Sequence, residues 1–507
     1  MMTQKQALMG YPLSRLFDGL ADQLPSLSIL GLSQDSRRIE AGWLFLACAG
    51  HQAHGASYME QAIGHGAVAV AYEPTAEVHG LEQAGLPVPV FAVPGLSAQL
   101  SELAGRFYAH PSHEMTVFGV TGTNGKTSVS HFIAQALAED HQTGLIGTLG
   151  SGRYGQLRET GHTTPDAISI QAELAHLRDA GVRQVVMEVS SHALVQGRVA
   201  ALRIEHAIFT NLTHEHLDYH GDMASYAAAK RLLFAMPGLR KAIVNVDDAT
   251  GREWLAREDW PAALELLRYG LAQGSGEALP HELLGEGLQL ERDGLSMRIG
   301  GALGAGELRT GLLGRFNAAN LLAALGGLLA MDMPLDEALR RLTKVRTVPG
   351  RMEGFGGKAR PLVVVDYAHT PDALAKVLEA LREHTRGRLW CVFGCGGERD
   401  QQKRPQMGRI AEALADSVII TDDNPRMEDP YEIIEQILDG MSDPDAVYVN
   451  RTRAAAIAHA IALGRPDDVI LVAGKGHEQE QLIGRQRLAF SDRAEVARLL
   501  GEEVRRG

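Results

Sequence analysis

The run Gly119-Val-Thr-Gly-Thr-Asn-Gly-Lys-Thr-Ser128 carries the sharpest chemical signal in the chain. It falls between an apolar stretch, 116–120, and Val129, Phe132, Ile133, Ala136 and Leu137, whose spacing predicts a helix. A glycine-rich turn between a strand and a helix aims backbone N–H groups and the positive end of the helix dipole at one point, where a phosphate fits. Lys126 is placed to reach β- and γ-phosphates and the Thr127 hydroxyl to ligate Mg²⁺, although Val120 occupies the first glycine position of the strict G-x-x-x-x-G-K-[ST] pattern. The alternative is a glycine-rich turn with an exposed lysine; the flanking elements favour a nucleoside triphosphate site.

Glu188-Val-Ser-Ser-His192 ends an apolar run, and Thr213-His-Glu-His-Leu-Asp-Tyr-His220 follows another. Carboxylate and imidazole groups at strand ends can surround a metal carried by a nucleotide, and hard oxygen ligands favour Mg²⁺. The histidines alone fit zinc equally, but His214, Glu215 and His216 lack H-E-x-x-H spacing, and a solvated polar loop is the plain alternative. Lys230 lies in a helical stretch, 224–234, where a lone lysine normally covers a solvated face. Asp423-Asn-Pro-Arg426 and Gly474-Lys-Gly-His-Glu478 each follow an apolar run. The first is either an ordinary strand-end turn or an arginine poised to grip a carboxylate. Two polar strand-end loops in one domain point to a second binding site.

The elements that must position these groups read as α/β throughout. Residues 1–112 alternate short apolar runs (43–47, 67–71, 88–93) with glycine and proline, a small α/β domain ending in a linker at 109–113. Residues 113–345 place strand candidates at 116–120, 184–189, 207–211 and 241–246 between helical patterns, as in a mostly parallel sheet. After a Pro/Gly break at 346–351, residues 346–507 show strand runs at 361–366, 389–393, 417–421, 446–450 and 469–473. Leu374, Val377, Leu378 and Leu381 form a helical stripe, and the pattern is doubly wound, Rossmann-like, without GxGxxG.

With 507 residues the chain is long enough for about three domains. A net charge of −13, from 49 Lys+Arg against 62 Asp+Glu, excludes a general nucleic-acid binder. Cys48, Cys391 and Cys395 are too few for a disulfide framework, no stretch is long and apolar enough to span a membrane, and no signal sequence is visible; a soluble cytosolic protein is expected.

Taken in order, Gly122-Thr-Asn-Gly-Lys-Thr127, Thr163-Thr164, Glu188-Val-Ser-Ser-His192, His216, Lys230, Asn317-Ala-Ala-Asn320, Asp423-Asn-Pro-Arg426 and Gly474-Lys-Gly-His-Glu478 resemble the Mur ligases across nearly the whole chain. These are ATP-dependent amide-bond formers of peptidoglycan synthesis, and the resemblance is to the branch that adds the third residue of the stem peptide. It implies three domains: 1–112 for the UDP-sugar, 113–345 for ATP and 346–507 for the amino acid. It implies further that ATP, the co-substrate, contacts Gly122, Thr123, Asn124, Gly125, Lys126, Thr127 and Ser128, with Asn317, Asn320, Arg351 and Asp366. Ser36 and the loop His51, Gln52, Ala53 would contact the UDP-sugar; Thr163, Thr164, Ser190, Gln196 and Arg198 would hold the muramoyl-dipeptide. His162 stands where members of the family carry Asn.

Thr127, Glu188, His216 and a carbamylated Lys230 would surround Mg²⁺, and Lys126, Lys230, Glu188 and His216 would be the catalytic set. Arg399, Asp423, Asn424, Pro425, Arg426, Gly474 and Glu478 would form the amino-acid pocket. The D-N-P-R form goes with meso-diaminopimelate, because Arg426 can pair with the distal carboxylate that lysine lacks. The implied reaction joins meso-diaminopimelate to UDP-N-acetylmuramoyl-L-alanyl-D-glutamate through an acyl phosphate. A lysine-adding ligase or a folylpolyglutamate synthase is the alternative within the class. A regulatory ATPase is the alternative outside it, though no N-K-x-D signature appears. Small-molecule partners, no nucleic acid, no membrane span and a monomer are expected.

Overall fold

Unbroken apolar runs fold as strands covered on both faces, the habit of parallel sheets. The computed structural model describes residues 10–17, 24–50, 53–83, 85–140, 142–271, 282–357 and 359–503, so the expected contacts of His51 and Gln52 lie outside the described residues. The chain divides into two compact units, 1–267 and 268–507.

In the first unit Gly31–Ser33, Trp43–Ala47, Ala67–Tyr72 and Val90–Ala92 form a four-stranded parallel sheet in that order. Successive strand residues point to opposite faces, so Leu44 and Leu46 join one apolar cluster while Phe45 and Ala47 join another. The linker expected at 109–113 is more ordered than that. Pro111–Glu114 form a 3₁₀ helix, with proline in its first turn and the Ser112 hydroxyl accepting from Arg203 N at 3.1 Å.

The sheet that follows runs Gln156–Arg158, Gly150–Arg153, Thr143–Gly147, Gln184–Glu188, Thr116–Thr121, His206–Phe209, Lys241–Asn245. Its members from Thr143–Gly147 to Lys241–Asn245 are parallel, and Gly150–Arg153 and Gln156–Arg158 add antiparallel edges. Thr116–Thr121 therefore sits between two neighbours, in a register that sets Val120 beside Glu188 and Thr121 beside Phe209. The chain leaving Thr121 is flanked by both strand ends. Helix Lys126–Leu137 then returns along the sheet, burying Val129, Phe132, Ile133, Ala136 and Leu137.

In the second unit Glu282–Glu291, Gly294–Gly301 and Gly306–Thr310 form an antiparallel meander. The mostly parallel pattern expected over 113–345 is kept by five strands between 116 and 245, and Glu282–Glu291 also pairs parallel with Glu265–Leu271, while Gly294–Gly301 and Gly306–Thr310 are antiparallel additions. Their signal was Asp293-Gly294, a hairpin dipeptide between alternating runs. Helix Arg315–Ala330 is buried almost all round, and a side chain at Gly285 would meet Leu322 Cδ1 at 3.0 Å.

Beyond it, the strands Glu353–Gly356, Leu362–Asp366, Val469–Ala473, Leu389–Phe393, Ser417–Ile420 and Tyr448–Val449 form a six-stranded sheet in that order, parallel except for the first. The run expected at 446–450 keeps only two strand residues because Pro444–Ala446 turn as a 3₁₀ helix. One face packs on Leu374, Leu378 and Leu381 of helix Pro371–Arg382, the other on Ala456, Ile457, Val496 and Leu500. Among the described residues no helix is long and apolar enough to cross a membrane.

Within that second face Arg453 and Asp492 form a bidentate pair (Nε–Oδ1 and Nη2–Oδ2, both 2.7 Å) with neither side chain exposed. Removing one partner of such a pair strands the other's charge in the core. Asp492→Ala should cost about 3–5 kcal/mol in urea unfolding, and an Arg453→Met/Asp492→Leu double substitution should recover much of it. A single-variant loss below about 1 kcal/mol would contradict the burial argument.

Candidate active site

The loop after Thr121 has the conformation that its glycines permit. Gly122 and Gly125 have φ of 147° and 85°, and a Cβ on Gly122 would lie 1.9 Å from Thr210 Oγ1. Residues of the next strand end hold the loop. Asn124 N donates to Asn211 Oδ1 at 2.9 Å, and its carbonyl accepts from Thr210 Oγ1 at 2.6 Å and Asn211 Nδ2 at 3.1 Å. Lys126 turns its ammonium back over the loop, donating to the carbonyls of Gly122 at 2.9 Å and Thr123 at 2.8 Å.

A second ammonium meets the same oxygen. Lys230, only 1% exposed on helix Met223–Arg231, donates to Gly122 O at 2.9 Å and lies 4.3 Å from the centre of the Tyr226 ring. Burial, reinforced by the nearby charge of Lys126, lowers its pKa to about 7. Burial also lowers Lys126, against the pull of Glu188 and Glu215. The helical pattern around Lys230 read as a solvated face, but the structure turns that lysine inward.

Glu188, at the end of the neighbouring strand, accepts from Thr127 Oγ1 at 2.9 Å and from Thr148 N at 2.8 Å, and burial raises its pKa. Two hard oxygen donors therefore stand together beside the glycine-rich loop, a set that suits Mg²⁺, which takes few protein ligands and keeps water and phosphate oxygens. Among the described residues no group of three His, Cys, Asp or Glu forms a ready-made cage. His216 adopts φ 57° and its ring packs edge-on to His192 at 5.0 Å and to Tyr226 at 6.2 Å.

From Glu188 a polar chain runs outward. Thr164 Oγ1 donates to Glu188 O at 2.9 Å and accepts from Ser190 N at 3.0 Å, and Thr148 Oγ1 meets Thr163 Oγ1 at 3.0 Å. Arg198 Nη1 donates to Thr164 O at 2.7 Å, and its Nε and Nη2 hold Gln196 Oε1 at 2.9 and 2.6 Å. Thr164, Ser190, Gln196 and Arg198 are thereby joined to the main chain of Glu188, and Thr163 to its carboxylate through Thr148, beside the glycine-rich loop. Thr148, which completes the junction, carried no sequence signal of its own. Ser36 lies apart from this chain, its hydroxyl donating to Gln61 Oε1 at 2.7 Å, and Ala53 is exposed.

In the second unit Asp366 ends its strand by accepting from Met352 N and Ala368 N, both at 2.8 Å, and burial raises its pKa. The Arg351 guanidinium lies 4.8 Å from the Tyr367 ring centre. Asn317 and Asn320 are buried and bonded to one another at 3.1 Å.

The two strand-end loops of this unit meet through a buried polar network. Lys475, with no exposed surface, donates to Asn424 Oδ1 at 3.0 Å and Glu478 Oε2 at 2.7 Å, while Asn424 Nδ2 donates to the same Glu478 oxygen at 2.9 Å. Burial works to raise the Glu478 carboxyl, and these donors prevail and hold it below its ordinary value. Gly474 has φ 117°, and a Cβ there would lie 2.5 Å from Asp423 Oδ2. Arg426 adopts a left-handed φ of 52°, a strain of about 1–3 kcal/mol. Its backbone is pinned by Arg426 N donating to Leu482 O at 3.0 Å and by Gly484 N donating to Arg426 O at 2.7 Å. Arg399 is exposed on the adjacent loop.

Comparison with known families and proteins finds matches over most of the chain. Family models described as Mur ligase family, catalytic domain; Mur ligase middle domain; and Mur ligase, glutamate ligase domain match residues 28–108, 120–328 and 350–476. The chain is 51% identical to the UDP-N-acetylmuramoyl-L-alanyl-D-glutamate--2,6-diaminopimelate ligase of Pseudomonas aeruginosa, over 94% of this chain and 95% of that one. It is 50% identical to the enzyme of the same name from Alkalilimnicola ehrlichii, over 93% and 95%. A solved structure of a ligase of that name superposes with a TM-score of 0.73 at 32% identity, covering 97% of this chain and 99% of that one.

Lys230 gives the site a measurable signature. Its folded pKa of about 7 lies below the ordinary 10.5, so between these values the unfolded chain binds a proton that the folded chain does not. Stability should therefore rise with pH across that window, and the full cost is present below about 7. Unfolding free energies of the metal-free protein and of Lys230→Met, compared at about pH 6.5 and about pH 9, should shift by about 2 kcal/mol in favour of the wild type at the higher pH. A pH-independent difference would show that Lys230 keeps its ordinary titration.

Proposed function

The chain belongs to the Mur ligase family, and from that premise we propose that it is the ATP-dependent ligase that adds meso-2,6-diaminopimelate to UDP-N-acetylmuramoyl-L-alanyl-D-glutamate. The observation that carries this reading is identity of about half the residues over nearly the full length of proteins named for that reaction. Those names favour diaminopimelate over lysine.

In this reading the γ-phosphoryl group of ATP passes to the side-chain carboxylate of the D-glutamate, giving an acyl phosphate and ADP. The amine of diaminopimelate attacks that carbonyl, loses a proton, and the tetrahedral intermediate expels phosphate as the amide forms. Gly122 to Ser128 cradle the nucleotide's phosphates, and Lys126 leaves its carbonyl partners for the transferring group, so catalysis is positioning and charge stabilisation. Mg²⁺, where bound, supplies charge neutralisation at the phosphates, and Thr127 and Glu188 would hold it, with His216 and a carbamylated Lys230 completing the set. The lowered pKa supports the modification, since the neutral amine is the form that adds CO₂, releasing a proton and inverting the charge.

Thr163, Thr164, Ser190, Gln196 and Arg198 would present the muramoyl-dipeptide to the phosphate loop, with Ser36 and the 51–53 loop on its UDP end. Asn317, Asn320, Arg351 and Asp366 would contact the nucleotide. Arg399, Asp423 to Arg426, Gly474 and Glu478 would take the amino acid. The boundaries 1–112, 113–345 and 346–507 are supported by the three family matches, which fall one within each range, and we assign these ranges to the UDP-sugar, ATP and the amino acid. We place the reaction in the cytoplasm, in cell-wall precursor synthesis, and the enzyme as a monomer.

Lys126→Ala should leave a folded protein whose ATP-dependent ligation falls by at least about a thousandfold. Phosphate release by the wild type should require both the muramoyl-dipeptide and an amino acid. Turnover retained in the variant, or ATP hydrolysis without the acceptors, would overturn the assignment.

A further inference from the structure

Arg399 and Arg426, the two arginines assigned to the amino-acid substrate, stand on two loops that share one buried anchor. The Glu428 carboxylate accepts from Arg404 Nη1 at 2.5 Å and Nη2 at 2.8 Å, from Gln401 Nε2 at 3.2 Å and from the backbone N–H of Glu398 at 2.9 Å. Arg404, fully buried despite its charge, also donates to Gly396 O at 3.2 Å and Gln436 Oε1 at 2.8 Å. The anchor therefore holds the 394–399 loop through Gly396 and Glu398 and the 423–428 loop through Glu428 itself.

Beside it the loops touch directly. Gly397 N donates to Asn424 O at 2.9 Å, Arg426 Nη1 donates to Gly397 O at 2.7 Å, and a Cβ on Gly397 would lie 1.9 Å from Pro425 O. Glu398 and Arg426 both adopt left-handed φ, 53° and 52°, which non-glycine residues keep only where surrounding contacts over-determine them.

We propose that the Arg404–Glu428 pair is a specificity-determining positioning pair: it fixes the separation of Arg399 and Arg426 and so selects an amino acid with a second, distal carboxylate. Neither member touches substrate. Bidentate recognition of carboxylates is intolerant of displacement, so a shift of about 1 Å in either loop should be read directly in substrate selection. The inference rests on the proposed function and deepens it.

The test is Glu428→Asp, which keeps the charge and retracts the carboxylate by one methylene, assayed with meso-diaminopimelate and with L-lysine. KM for meso-diaminopimelate should rise by about tenfold or more and its preference over lysine should fall, while KM for ATP and for the muramoyl-dipeptide stay within about twofold. Arg404→Lys, which keeps the charge on a single nitrogen and loses the bridge to Gly396, should behave alike and serves if the first variant fails to fold. A folded variant with unchanged KM and unchanged preference overturns the proposal. So does a uniform rise in all three KM values with a lowered melting temperature, the mark of a merely structural pair. A wild type that does not use meso-diaminopimelate defeats the proposed function instead, and is recognised before any variant is made.

Discussion

Two ammonium groups on one carbonyl oxygen is the constraint around which the first unit is arranged. Lys126 and Lys230 both donate to Gly122 O at 2.9 Å, in a chain whose net charge is −13. Desolvation of Lys230 is the larger cost of this arrangement, and repulsion between the like charges adds to it. The strain is relieved when anions enter, when one amine is neutral, or when CO₂ adds to Lys230 and inverts its charge as proposed above. Everything nearby serves that loop. The strand register brings Glu188 to one side and Thr210 and Asn211 to the other, and the absence of a side chain at Gly122 lets Thr210 close over it.

The second unit solves a related problem with opposite signs interleaved. Lys475, Asn424 and Glu478 satisfy one another under the strand-end loops, and Arg453 donates to the carbonyls of Ala473 at 2.9 Å and Asp422 at 3.4 Å, the residues that precede Gly474 and Asp423. Buried polar groups of this kind are costly when unpaired and rigid when fully paired. Rigidity is what discrimination between two amino acids of similar size requires, since selection then rests on a charge pair formed or left unmade.

Much of this was legible in the residues themselves, because apolar runs and glycine placement are local properties. The strands 116–121, 184–188, 389–393 and 469–473 fall where their runs of Val, Ile, Leu and Phe demand, and the glycine-rich turn falls between a strand and a helix. What stayed hidden depends on pairs distant in the chain. Thr148 matters because it meets Glu188, Lys230 because its helix turns it inward, and Arg404 because Glu428 arrives beside it; each alone looks like a surface residue. The meander from 282 to 310 was missed for another reason, since its alternating runs carry glycines that dilute the pattern. Lys230 was singled out by resemblance, and burial now supplies the physical reason for noticing it.

The most direct measurement is the paired turnover of the wild-type enzyme with UDP-N-acetylmuramoyl-L-alanyl-D-glutamate and ATP, supplied in turn with meso-diaminopimelate and with L-lysine. A kcat/KM at least about a hundredfold higher for meso-diaminopimelate is expected, because in the proposed pocket lysine would leave the Arg426 guanidinium without a carboxylate. Equal use of the two amino acids, or a preference for lysine, would contradict it.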